Sequence, residues 1–179
     1  MDFRSTGGIF LRLDSSGNLN IFNTAGTSIA KFVGSAFSAT LNRAVLADST
    51  TRTTTTTANY VSTGLGVTFT PQSSGKAQVF ATIPVSSDTS GDGVAIDAFF
   101  NTGSIPAANA TVGADSAFGF NLRHTAAANN QFEVLTLNGS VTLTVGTTYS
   151  VYIGYRAITG GTASYNPSPT TSQITVIEI

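Results

Sequence analysis

The feature that most constrains this chain is the strict two-residue alternation in its last third. In Gly146-Thr-Thr-Tyr149-Ser-Val151-Tyr152-Ile153-Gly-Tyr155-Arg156, the residues Tyr149, Val151, Ile153 and Tyr155 share one side of a pleat, and Tyr152 and Arg156 take the other. After Gly160-Gly161 and the Pro167/Pro169 stretch, Ile174-Thr-Val176-Ile-Glu178-Ile179 alternates again. A terminal strand frays unless a sheet holds it, so this one is expected to lie inside a sheet.

Short alternating runs of Val, Ile, Phe and Tyr, divided by Gly, Asn, Asp and Ser, extend this pattern over the chain and place it in the all-β class. Expected strands include 9–13, 19–22, 60–61, 66–70, 75–84, 93–100, 116–123, 131–136, 140–145, 149–157 and 173–179. Those after residue 58 make about eight or nine, a set that two packed sheets close. The domain reading is therefore a stem or anchor over residues 1–58 and a sandwich over 59–179.

The first 58 residues read as a thin β-meander. Leu11-Arg-Leu13-Asp-Ser-Ser-Gly17-Asn-Leu19 is strand, turn, strand, and one such layer buries little by itself. Phe3, Phe10, Phe22, Phe32 and Phe37 fall in this segment with no second sheet to cover them, so packing against copies of the chain or a partner is expected. Residues 28–46 fit either a short amphipathic helix, with Ile29, Phe32, Val33, Ala36 and Phe37 as its stripe, or continued extended structure. Thr50 to Thr57 reads as a linker or an edge strand.

Composition removes several function classes. Charged residues are only 9% of the chain, against roughly 25% in an average soluble domain. A net charge of −1 with scattered Lys and Arg forms no basic stripe for nucleic acid. Hydrophobic residues never run for about 20 positions, so no membrane helix is expected. Met1-Asp-Phe-Arg4 does not resemble a secretory signal, which makes synthesis in a cytoplasm the expectation. Cysteine is absent, and with it disulfides and thiolate metal sites.

Catalytic chemistry finds little footing. His124 is the single histidine and reads as an exposed loop residue; the sharper alternative is an ion site where three copies meet. Asp88-Thr-Ser-Gly-Asp92-Gly is oxygen-rich but lacks the spacing of a calcium loop, so Asp92 reads first as a turn residue. Asp97 and Glu133 are the one carboxylate pair worth testing for glycoside hydrolysis. Tyr152, Tyr155 and Tyr165 suit either a core or a sugar-stacking platform, and with His124 and Asp92 they are the candidate glycan or partner contacts. Neither catalytic residues nor a cofactor are expected.

The order of Thr51-Arg52-Thr-Thr-Thr-Thr-Thr57, Thr63-Gly64-Leu65-Gly-Val67-Thr-Phe69-Thr-Pro71, Ser74-Gly75-Lys76-Ala-Gln-Val79, Gly146-Thr-Thr-Tyr149 and Ile174-Thr-Val-Ile-Glu178-Ile179 resembles the C-terminal jelly-roll domain of tailed-bacteriophage virion proteins. Those domains are similar in shape to tumour-necrosis-factor and C1q heads. The resemblance covers about residues 50–179, and the 11–19 segment is similar to the β-meander stems of phage fibres. It implies a homotrimeric, non-enzymatic knob on a virion, assembled in the host cytoplasm and attached through residues 1–58 to capsid or tail subunits. No long repetitive shaft is present, which favours a stubby capsid decoration or short fibre. The alternatives are a tail-fibre tip that binds host surface glycan and a bacterial carbohydrate-binding module.

Overall fold

The computed structural model describes the backbone of residues 2–4, 10–13, 19–22, 28–32 and 42–179, and the side chains of 19–22 and 42–179. Two units divide at Thr40/Leu41. In the first, β1 (Asp2–Arg4), β2 (Phe10–Leu13), β3 (Leu19–Phe22) and β4 (Ser28–Phe32) form one antiparallel sheet in chain order. This is the expected meander. Its β4 is extended where a helix was one alternative; 33–41, with Phe37, lie outside the described residues.

The second unit opens with β5 (Arg43–Asp48) and β6 (Arg52–Thr54), followed by β7 (Val61–Phe69), β8 (Lys76–Ser87) and β9 (Gly93–Asn101). Next come β10 (Ser116–Ala117), β11 (Leu122–Thr125), β12 (Gln131–Thr142), β13 (Tyr149–Ala157), β14 (Ala163–Tyr165) and β15 (Ser172–Glu178). Antiparallel pairing builds one sheet as β5-β15-β8-β12, with β14 and β6 extending its far end, and a second as β7-β13-β9-β11, with β10 beside β9. Numbering β5, β7, β8, β9, β11, β12, β13 and β15 one to eight, the sheets read 1-8-3-6 and 2-7-4-5. That order is the two-Greek-key jelly roll.

Alternation decides which residues fill the space between the sheets. Val79, Ala81, Ile83 and Val85 of β8 face Ile96 and Ala98 of β9 and Val151, Ile153 and Tyr155 of β13 in a single buried cluster. Ile174 and Val176 of β15 join it, so the closing strand does lie within a sheet, between β5 and β8. Fully burying each such aliphatic side chain contributes about 1.5–3 kcal/mol.

Several boundaries differ from the sequence expectation; 60–61 and 66–70, for one, are joined in β7. Residues 43–54, grouped there with the stem, pair with β15 and β14 and are edge strands of the sandwich. The expected strand 116–123 is two short pieces, because Gly119 and Asn121 adopt positive φ (81° and 43°) and Asp97 accepts the N–H groups of Phe120 and Asn121 at 3.1 and 3.2 Å. Conversely 131–136 and the first part of 140–145 are joined in β12, which runs unbroken through Asn138-Gly139-Ser140 and ends at Thr142. Gly139 serves close packing there: a Cβ would stand 2.1 Å from the Phe120 ring.

Candidate functional site

The residues singled out in the sequence are mostly enclosed. Tyr152, Tyr155 and Tyr165 are fully buried. Tyr152 donates to Asp115, Tyr155 to Asn109 Oδ1 at 2.7 Å, and Tyr165 to Asp48 Oδ2 at 3.2 Å. Burial pushes all three phenols up, Tyr155 to about 12. No ring face remains open for a sugar; of the two readings, core packing with satisfied hydroxyls is the one these tyrosines take. Their amphipathic rings allowed both readings; the pairing of β13 and β14 within the sheets selects one.

Asp92 is likewise internal. Its carboxylate accepts the Thr159 N–H and hydroxyl, both at 2.6 Å, and the Gly161 N–H. Burial alone would raise the group, but hydrogen bonds from Thr159, Gly93 and Gly160 outweigh it and hold the carboxyl far below its usual range. Its lone pairs close the turn after β13.

His124, expected in an exposed loop, is buried on β11. The register His124↔Val94 turns it inward, and Gly93 permits the approach, since a Cβ there would meet the His124 carbonyl oxygen at 1.8 Å. Its Nδ1 meets the Glu133 carboxylate from β12, and Nε2 is enclosed without a partner. Glu133 lies on the inner side of its sheet, opposite Val85, whereas Asp97 lies on the outer side of β9, opposite Gly154. The two acids do not form a pair. Among the described residues no group of three or more His, Cys, Asp or Glu is placed to hold a metal.

Of the stem phenylalanines, Phe22 is half-buried on β3. Phe3, Phe10 and Phe32 fall on β1, β2 and β4, with side chains outside the described set.

What remains open to a partner is the outer face of the β5-β15-β8-β12 sheet. The registers place Val45, Thr175, Phe80 and Asn138 in one row across it. Phe80 and Val45 are each 40% exposed, and Val134 and Phe132 on β12 are 44% and 48% exposed. An antiparallel sheet facing water normally alternates to polar residues on that side. The sequence carried this signal: Phe80 stands at the opposite parity to Val79 and Ala81, and Phe132 and Val134 at the opposite parity to Leu135 and Leu137.

At the far end of the same face, the segment after β14 borders a cleft of about 560 Å³, with Phe132, Pro167 and Pro169 among its apolar walls. Ser86, Ser164, Ser168 and Asn130 supply polar groups.

The fold and this face define a two-sheet jelly roll with an unroofed apolar surface. No family model and no curated protein matches the chain. Among solved structures, it is similar to the infectious bursal disease virus Gx strain structure at 12% identity and a TM-score of 0.42, over 76% of this chain and 32% of that one. It is also similar to the VP2 subviral particle of infectious bursal disease virus at 9% identity and a TM-score of 0.38, over 92% of this chain and 47% of that one. The chain thus spans about a third to a half of the length of those viral chains.

Proposed function

We propose that this chain is a non-enzymatic structural protein of a bacteriophage virion: a homotrimeric jelly-roll knob, attached to capsid or tail subunits through its N-terminal meander. The observation that carries the reading is the outer face of the β5-β15-β8-β12 sheet, where Val45, Phe80 and Val134 stand exposed. Exposed aromatic and branched side chains on a sheet face that would otherwise be polar support an association surface. A net charge of −1 puts little electrostatic repulsion between copies. The resemblance noted in the sequence supplies the virion setting, and the strand order agrees with the jelly roll that it implies.

Within that reading, capsid decoration and short fibre are the two roles to separate. Sedimentation equilibrium of the full chain tests the assembly. A mass three times 18.4 kDa is expected, and a monomer across the micromolar range would overturn the trimer. Copy number in purified particles then separates the roles: hundreds of copies mean decoration, and six to eighteen mean a tail part.

A further inference from the structure

The cleft beside Phe132 is built rather than incidental. The loop that forms one wall is tied down at several points: Asn166 donates its N–H to Pro84 O at 3.0 Å and accepts the Ser172 hydroxyl at 2.6 Å. Thr51 donates its hydroxyl to Asn166 O at 2.6 Å, and Thr170 to Pro167 O at 2.7 Å. The remaining polar groups of the lining are differently placed. Among the described residues, no hydrogen bond engages the hydroxyls of Ser86, Ser164 and Ser168 or the side-chain amide of Asn130. A pinned wall with free hydroxyls presents hydrogen-bonding capacity at little ordering cost to a ligand.

We infer that this cleft binds a neutral saccharide. None of its nine lining residues is charged, so a carboxylate, sulfate or phosphate would lose water there without gaining a counter-charge. The volume lies in the range of small-molecule sites, roughly 300–1,000 Å³. A pyranose offers an apolar C–H face and a rim of hydroxyls. Phe132 and the two prolines suit the first, and the free serines and Asn130 suit the second. A bound peptide would instead look for an open strand edge or several apolar anchors, and this cleft has a single aromatic residue. The inference does not depend on the virion assignment, and it requires that the association surface around Val45 and Phe80 leave Phe132 uncovered. It moves the sugar contact from the buried tyrosines to residues that solvent reaches.

Saturation-transfer NMR on the full chain tests it, with oligomers of glucose, galactose and N-acetylglucosamine as probes and sialyllactose and heparin oligosaccharides as anionic comparisons. Transfer from at least one neutral sugar is expected, with a loss of affinity of about tenfold or more in Phe132→Ala. Ser168→Lys, at an exposed turn position, places a cation in the cleft and is expected to abolish the transfer. The inference is overturned if no neutral sugar shows transfer, if only the anionic sugars do, or if both variants bind as the parent does. It is equally overturned if Phe132→Ala lowers the oligomeric mass while the parent binds no sugar, since a second copy then fills the cleft.

Discussion

The two sheets of the sandwich treat their outer faces in opposite ways. On the β7-β13-β9 sheet the chain roofs itself: Phe99 stacks on Tyr152 with centroids 5.8 Å apart, Tyr60 meets it edge-on at 5.3 Å, and Val112 and Ile105 from the loop after β9 complete a second small cluster. On the β5-β15-β8-β12 sheet, Val45, Phe80, Val134 and Phe132 have no such cover. The same chemistry, aromatic and branched residues on an outer pleat, is covered in one case by the chain's own loop and in the other is left exposed. The contrast places folding stability on the roofed face and makes the bare one the face on which we propose association.

The strongest way to break that contrast is on the roofed side. Phe99→Ala removes the ring that Tyr60, Tyr152 and Val112 surround, and is expected to cost about 3–5 kcal/mol in urea unfolding. A loss near zero would mean that the roof is not part of the folded core. Gly154→Ala tests the same face with a smaller change. A Cβ at this position would lie 2.6 Å from the Phe99 ring, which Tyr60 and Tyr152 keep from swinging aside. We expect a loss of about 1–3 kcal/mol, read from the same unfolding curves.

Much of this division was legible in the sequence, and the exceptions have physical causes. Alternation located β13 and β15 because each buries one parity against the other sheet. It failed at Ala44-Val45-Leu46-Ala47, where an edge strand with an apolar outer face shows no alternation to read. Gly139 looked like a break because a glycine in a strand usually marks one, whereas here it makes room for the Phe120 ring from elsewhere in the chain. The tyrosines were legible as core candidates without the choice being fixed, and His124 was not legible as buried. Burial was decided by the registers of β13, β14 and β11, which no local pattern announces. The cleft gathers Thr51, Ser86, Phe132 and Ser164 from four separate parts of the chain, so no motif could have marked it.

A clasp joins the two regions at one end, and acid should open it. Glu178 of β15 accepts the Asn42 amide at 2.7 Å and the N–H groups of Gln72, Ser73 and Ser74, at 2.8, 2.7 and 2.7 Å, from the turn that links β7 to β8. The Asn42 amide first, then these backbone donors, hold its carboxyl far below the usual range. A depressed carboxyl contributes stability that is complete above its unfolded value of about 4.3 and is lost as the pH falls toward the folded one. The parent is therefore expected to lose urea resistance steadily below about pH 5, and Glu178→Gln to start lower and fall less steeply. Parallel slopes in the two proteins between pH 6 and pH 3 would remove Glu178 from the account.

The smallest effect on folding is expected where the comparison is sharpest. Phe80→Ser changes a side chain that the chain's own core does not use, and surface changes of that kind fall within about 0.5 kcal/mol. Yet Phe80 stands in the row with Val45 that we assign to association. Association adds apparent stability by mass action, so the two effects separate by dilution. In the parent, the unfolding midpoint should rise with protein concentration. In Phe80→Ser it should become independent of concentration and equal the parent's value at the lowest concentration, while the sedimentation mass drops toward 18.4 kDa. A midpoint that falls equally at every concentration would make Phe80 a folding residue and erase the difference between the two faces.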